Sequence, residues 1–270
     1  MLDRRSALLV FFVLTGLTRP ATLHAQSGRP AHDEIVAVPN RPTLASTAEM
    51  VSSGVFEIEY GFEAADAHQN INGLLKFGVV KNLELWFLNN PIECDSGTAG
   101  LGDSGAGFKY KLFPQKRARP TVSILYIATI PTARPELGVG AMAHLVQVLV
   151  SKDFGKHHFD FNEGVQFVGR PQQGGFDRRY FSALSYSRPL KGKWGYTGEI
   201  AGYSWQNRST PATMTILNAA TYNVTSRMVL DGGVYFAVYG SLPRATFFAG
   251  LTYSIADLYH RHPAQRSAKN

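Results

Sequence analysis

The chain is poor in cysteine, and this removes several classes of site at once. Cys94 is the single cysteine among 270 residues, so an internal disulfide is excluded. A zinc cluster around it is excluded as well, because no other cysteine or histidine lies close to it in the sequence. We interpret Cys94 as an incidental free thiol.

Long apolar runs are also missing. The longest begins at Ala7 and ends at Leu17, well short of the roughly 20 residues that a membrane-spanning helix needs. It follows Arg4 and Arg5 and precedes Pro20, a pattern typical of a secretory signal peptide cleaved after Ala25. An uncleaved anchor is the alternative that the short run disfavours. After residue 26, charged residues, Asn or Gly interrupt every apolar run, so no helical span is expected.

The chain has no strong excess of charge. Its formal net charge is +7, and removing residues 1–25 takes away three arginines and one aspartate, which leaves +5. No Lys/Arg cluster is interleaved with aromatic residues, so a nucleic-acid partner is excluded. A mildly basic surface is compatible with anionic lipid or lipopolysaccharide.

What the chain does have is period-two alternation, together with 26 glycines, 17 phenylalanines and 12 tyrosines. Phe56, Ile58 and Tyr60 alternate with Glu57 and Glu59, and similar stretches recur almost to the C-terminus. Aromatic residues and glycines are enriched together in membrane barrels. The stretches lie near 55–63, 71–80, 82–90, 104–113, 120–130, 143–154, 157–168, 178–189, 193–204, 214–224, 227–239 and 244–256.

These stretches predict an all-β fold, an antiparallel up-and-down transmembrane β-barrel of about twelve strands. We expect a signal peptide at 1–25, a periplasmic lead-in at 26–53, the barrel at 54–256 and a polar C-terminal tail at 257–270. Short turns alternate with longer Gly- and Pro-rich links, as in a barrel with short periplasmic turns. A soluble β-sandwich also alternates and is the competing fold. Aromatics near strand ends, and Gly250 followed by Tyr253 and Ile255 in the last strand, favour the barrel.

The face opposite the apolar residues carries charge. We expect these side chains to line the lumen of the barrel, where they either set selectivity or pair with one another and fill a narrow interior. They are Glu57, Glu59, Lys76, Glu84, Lys109, Lys111, Asp160 and Glu199. Glu163 departs from the pattern because it falls on the apolar side.

Other motifs have simpler interpretations. Gly100-Leu101-Gly102-Asp103 lacks the Gly-Lys-Ser/Thr ending of a phosphate loop and is read as a turn. His157 and His158 are adjacent and point to opposite faces of a strand, and the histidines at 260 and 262 lack a carboxylate partner, so no metal site is expected. A lipid-modifying barrel enzyme would need a Ser/His pair. The available side chains are Ser182, Ser185, Ser187, His144 and His158, and none lies in a Gly-x-Ser-x-Gly setting.

Four stretches carry a resemblance to a known family: RPTLASTAEMVSSGVFEIEYGFE at 41–63, LLKFGVVKNLELWF at 74–87, GLGDSGAGFKYKLF at 100–113 and IPTA at 130–133. They are similar to the MetA-pathway of phenol degradation family of outer-membrane transporter-like proteins. The similarity includes Arg41-Pro42, Gly100 to Asp103 and Pro131-Thr132. It departs at Ala133, where the family usually has Gly, and it covers about residues 40 to 133.

The resemblance implies an outer-membrane barrel for uptake of small hydrophobic, including aromatic, compounds. The prediction is therefore a passive transporter or channel in the bacterial outer membrane, with no enzyme activity, cofactor or metal. Its expected partners are the lipid bilayer, lipopolysaccharide, the barrel-assembly machinery and a small hydrophobic solute. A structural or ligand-binding barrel without transport and an outer-membrane lipid-modifying enzyme are the alternatives.

Overall fold

The computed structural model describes residues 35–207 and 209–259, and β-strands dominate this part of the chain. The strands are β1 (Val55–Ala64), β2 (His68–Val80), β3 (Leu83–Asp95), β4 (Thr98–Gly100), β5 (Ser104–Phe113), β6 (Thr121–Ile130), β7 (Ala143–Phe154), β8 (His157–Gly169), β9 (Phe176–Pro189), β10 (Trp194–Tyr203), β11 (Thr213–Asn223), β12 (Met228–Tyr239) and β13 (Ala245–Asp257). Within the described ranges, no helix is long and apolar enough to cross a membrane.

The strands close into a ring. β1 pairs in antiparallel fashion with β2 on one side and with β13 on the other, and β2 also pairs with β3. The three-residue β4 adds only to the end of β3, so twelve strands form the wall. The predicted fold class, an antiparallel β-barrel of about twelve strands, is confirmed.

The alternation places polar side chains inside and apolar side chains outside. In β1, Glu57 and Glu59 are buried, whereas Phe62 on the other face is exposed. In β13, Thr252 and Ser254 are buried and Phe247 is 65% exposed. A soluble protein distributes these residue types the other way round. The outer surface is therefore suited to hydrocarbon and the inner surface to hydrogen bonding.

Glu163 lies on the apolar outer face, as its position in the sequence pattern indicated. It is the seventh of the thirteen residues of β8 and pairs across the wall with Ser182 of β9. The Ser182 hydroxyl donates to the Glu163 carboxylate, 2.8 Å from either oxygen. A local hydrogen bond thus satisfies the carboxylate on an otherwise apolar surface.

The two ends of the barrel differ in their connections. One end carries five links, at 81–82, 114–120, 155–156, 190–193 and 224–227, and we call it the short-turn end. The other end carries the links 65–67, 96–103, 131–142, 170–175, 204–212 and 240–244, and we call it the long-loop end. The first long-loop link is shorter than the sequence suggested, because β2 begins at His68.

Residues 35–53 lie inside the ring, and we call them the inner segment. The backbone N–H of Ala37 donates to the Ser226 carbonyl at the short-turn end (2.9 Å), and Gly54 returns there by donating to Gly78 (2.7 Å). Between them, Leu44 lies beside Asp66 and Ser241 of the long-loop end. The segment was expected to be a lead-in outside the barrel. Its described part instead runs up the interior and back, because polar wall side chains bind its backbone.

The expected signal peptide at 1–25 lies outside the described residues. So does most of the expected polar tail, of which the structure describes only 257–259.

Candidate functional site: the filled barrel interior

Lys76 is the centre of one buried charge cluster. Its Nζ lies 2.6 Å from Glu57 Oε1 and 2.5 Å from Glu59 Oε1, and it also donates to the Val38 carbonyl (2.5 Å). The Lys76 and Glu57 side chains are both 0% exposed. A buried charge is tolerated only when it is paired and hydrogen-bonded. Three predicted lumen residues therefore meet around one cation and hold the inner segment.

Lys109 organises a second cluster on neighbouring strands. Its Nζ lies 3.2 Å from Glu84 Oε1 and donates to the carbonyls of Thr47 (3.2 Å) and Glu49. Glu84 also accepts from the Trp86 indole (2.5 Å) and from the Val51 backbone (2.7 Å). Every member of this cluster thus links the wall to the returning half of the inner segment.

Lys111 reaches the same half of the segment through a side chain. Its Nζ lies 2.7 Å from the carboxylate of Glu49, which also accepts from the Thr121 hydroxyl. Burial by itself raises the pKa of Glu49, but the hydrogen bonds from Lys111 and Thr121 outweigh it and hold the pKa below the ordinary value of 4.5. Glu49 lies outside the strands and its side chain is 42% exposed.

Glu199 of β10 and Asp160 of β8 hold the inner segment from the other side of the barrel. Glu199 accepts from the backbone N–H groups of Leu44 (3.0 Å) and Ala45 (2.6 Å). Asp160 accepts from Ser151 (2.5 Å), whose hydroxyl in turn accepts from the Ala48 backbone (2.7 Å). All eight predicted lumen residues thus contact the inner segment directly or, for Asp160, through Ser151.

Arg41 makes an anchor that sequence analysis missed. Its guanidinium pairs with the Asp231 carboxylate, with nitrogen–oxygen distances of 3.1 and 3.2 Å. It lies against Gly61 and Gly250, which are partners across β1 and β13, and a Cβ added to either glycine would overlap it. In the sequence, the sign of this anchor is that Gly61, Gly250 and Asp231 all fall at inward positions. That they are neighbours is known only from the pairing register of β1, β13 and β12.

The Asn162 amide was missed for a similar reason. It accepts from the Ser46 backbone N–H (2.7 Å) and donates to the Ser46 carbonyl (2.9 Å). The asparagine side chain thus supplies both an acceptor for a backbone N–H and a donor for a backbone carbonyl, as the backbone of a neighbouring strand does in a sheet. The inner segment therefore has its buried backbone groups satisfied by wall side chains rather than by a sheet.

Cavities remain on either side of the inner segment. One cavity, of about 500 Å³, lies between Arg41, Thr43 and Leu44 of the inner segment and the wall formed by β2, β3 and the link 131–142. Another of about 310 Å³ reaches Arg41 and Thr43 from the side of His158 and Thr221. A third, of about 660 Å³, lies at the long-loop end and is lined by Leu44, Tyr235, Leu242 and Pro243 with Glu63, Asp66 and Asp95.

The serines and histidines considered as catalytic candidates do not assemble a triad. His158 contacts Asp153 (2.7 Å) and Asp160 (3.0 Å), and Ser185 donates to Asp160 (3.3 Å). Ser187 bonds to Thr197, and His144 to Tyr126. In the described ranges no serine hydroxyl bonds to a histidine ring. The same residues contain no group of three His, Cys, Asp or Glu side chains that could hold a metal ion.

The chain is similar in fold to solved outer-membrane channels and porins. The chain is similar to an outer-membrane channel from Pseudomonas putida F1, with a TM-score of 0.58 and 15% identity over 76% of this chain and 96% of that chain. It is also similar to the NanC porin, with a TM-score of 0.57 and 11% identity over 74% of this chain and 100% of that chain. For the KdgM porin the TM-score is 0.57 and the identity 9%, over 74% of this chain and 99% of that chain. At these identities the likeness is one of fold. The chain thus has the fold of outer-membrane channel barrels.

No family model and no curated protein matches the sequence. The specific resemblance to the MetA-pathway of phenol degradation family is therefore not confirmed, and it rests on the four stretches given above.

Proposed function

We propose that this protein is a passive outer-membrane channel for small hydrophobic solutes, including aromatic ones. One observation carries the proposal. The barrel is wide enough to hold a second layer of chain, and that layer is a continuous loop rather than side chains of the wall. The path through the barrel is therefore occupied by a segment held through hydrogen bonds and ion pairs, with cavities on either side of Arg41 and Thr43.

The solute class is supported by the cavity at the long-loop end. Leu44 of the inner segment, with Tyr235, Leu242 and Pro243, forms the apolar part of its lining, beside the three carboxylates named above, and the cavity is of a size suited to a small molecule. The family resemblance implies the same class. Location in the outer membrane and contact with lipopolysaccharide and the barrel-assembly machinery belong to this proposal as well.

A binding barrel without transport is the second candidate. The specific observation in its favour is the filled interior, in which Lys76, Lys109 and Glu199 hold the inner segment from three sides.

Planar-bilayer conductance separates the two candidates. We expect few conductance steps from the intact protein and frequent steps from a variant lacking residues 38–49, because water replaces the inner segment in a lumen lined by charge. If the intact protein inserts and stays folded, as heat-modifiable gel migration would show, but gives no steps at all while the deletion variant conducts, the channel proposal fails and the binding barrel stands.

The solute class needs a separate test. Cells with an intact lipopolysaccharide leaflet should take up the aromatic dye N-phenyl-1-naphthylamine faster when they express the protein. The variant L242D should lose this gain and keep its bilayer conductance, because Leu242 lines the cavity at the long-loop end and lies outside the inner segment. Dye entry that is equal in the wild type and the variant would contradict a hydrophobic solute.

A further inference from the structure

The five links of the short-turn end are basic without exception. They contain eight Lys or Arg residues and neither Asp nor Glu. The residues are Lys81, Lys116, Arg117, Arg119, Lys156, Lys191, Lys193 and Arg227. Each of the five links carries at least one of them, so positive charge lies at every turn of this rim. The seam between β13 and β1 has no link, and β13 ends there at Asp257.

The long-loop end lacks this bias, although its links are longer. Its described residues include Asp66, Asp103 and Glu136 together with Arg134, Arg170 and Arg244. Exposure to water alone would favour mixed charges at both ends. The single sign of the five short-turn links therefore requires its own explanation.

The basic side chains of this rim are available to a ligand. Seven of the eight are exposed, and Arg227 is half-buried. Within the described ranges none of the eight forms an ion pair with a carboxylate. Lys193, for example, donates to the Val224 carbonyl (2.7 Å). Eight cations without paired carboxylates form a strong local attraction for anions.

Apolar side chains accompany these cations on the lipid-facing side. Val80 precedes Lys81, Leu190 precedes Lys191, and Trp194 follows Lys193, and all three apolar residues are exposed. Arg119 lies over the Phe113 ring at 5.4 Å, and Lys152 lies over the Phe154 ring at 5.6 Å. A cation beside an exposed aromatic ring is the arrangement that receives an anionic head group and its hydrocarbon chain together.

We propose that the short-turn rim binds the head groups of anionic phospholipids. The strongest sector joins Lys116, Arg117 and Arg119 of one link with Lys156 of the next and with Lys152 near the end of β7, whose Nζ donates to the Arg117 carbonyl. The exposed Asp153 carboxylate also lies in this sector and is paired with His158 (2.7 Å). The exposed apolar and aromatic side chains beside these cations suit a lipid, whose hydrocarbon chain they can contact, better than a compact acidic protein. Because short turns face the periplasm in outer-membrane barrels, these lipids belong to the phospholipid leaflet, not to lipopolysaccharide.

This inference rests on the proposed membrane location and not on transport. Its test is lipid retention, measured by native mass spectrometry on the intact purified protein after mixing with equal phosphatidylglycerol and phosphatidylethanolamine. We expect preferential retention of phosphatidylglycerol that falls as salt rises. The variant K116Q/R117Q/R119Q should reduce it at least about fivefold, since one cation near an anionic membrane is worth about that factor.

The matched control is R134Q/R170Q/R244Q at the long-loop end, which should retain phosphatidylglycerol like the wild type. Equal retention of the two lipids, or equal loss in both variants, would overturn the proposal. Unchanged lipid retention with reduced binding of polyglutamate to the short-turn variant would also overturn it and would favour an acidic protein partner. The bilayer conductance of the K116Q/R117Q/R119Q variant should equal that of the wild type, so a change in lipid retention does not bear on the channel proposal.

Discussion

The inner and outer faces of the same strands obey opposite rules. In β1, Glu57 is fully buried while Phe62, on the neighbouring face, is 47% exposed. The polar face is buried because the inner segment covers it, and the apolar face is exposed because nothing in residues 35–207 and 209–259 covers it. Burial alone therefore does not identify a core. The medium against each face decides which residue types are stable there.

The largest expected effect comes from breaking a buried ion pair on the inner face. Lys76→Met leaves Glu57 and Glu59 without their shared cation and should lower the free energy of unfolding by about 3–5 kcal/mol. Guanidinium unfolding in lipid vesicles measures the loss. Lys81→Met in an exposed turn is the control and should cost less than about 0.5 kcal/mol. If the two variants are equally stable, the inner face is not a sealed polar core.

On the outer face, position along the strand should decide the cost of a charge. Val148 is the sixth of the twelve residues of β7, and Val148→Arg should lower the free energy of unfolding by about 2–4 kcal/mol in vesicles. Val80→Arg, at the strand end, should cost no more than about 1 kcal/mol. Equal costs at the two positions would argue against a membrane around this surface.

The Arg41 anchor offers a test of the contact between wall and inner segment. Gly250→Ala places a Cβ where the guanidinium lies, so it should break the pair with Asp231 and weaken the segment by about 1.5–3 kcal/mol. Maleimide labelling of a T43C reporter, in a C94S background, should become faster.

Gly232→Ala is the matched control for that prediction. A Cβ at Gly232 would meet only the Phe248 carbonyl oxygen at 3.5 Å and Ala249 at 4.0 Å, which are ordinary contacts. Labelling that is unchanged in Gly250→Ala, or accelerated equally in both variants, would show that Arg41 does not anchor the segment.

The smallest effect concerns pH. The pKa of Glu49 lies below the ordinary 4.5, so its ionised form stabilises the fold above that pH, and this contribution is lost as pH falls through the lowered value. Because the side chain is partly exposed, the contribution should stay below about 1 kcal/mol. The difference in unfolding midpoint between wild type and E49Q should shrink below pH 4.5. If the difference in unfolding midpoint between wild type and E49Q does not change with pH, the contact between Glu49 and Lys111 does not stabilise the fold.

Much of the wall could be predicted from sequence. Alternation located twelve strands, and for β7, for example, the predicted and observed bounds coincide at 143–154. The larger errors lie at the long-loop end, where β2 begins at His68 rather than residue 71 and β3 continues to Asp95. There polar and apolar residues no longer alternate regularly, so the period of two does not mark the strand ends. The same stretches identified Glu57, Lys76, Lys109 and Glu199 as inward side chains, although not their partners.

The wall could be read from consecutive residues, because the period of two and the character of each face are local properties. What fills the wall depends on contacts between distant parts of the chain. Residues 35–53 have no periodicity, and their partners are distant in the chain, with Arg41 and Asp231 separated by 190 positions. Hydrogen bonds of this kind depend on closure of the ring and on register, which no local pattern records.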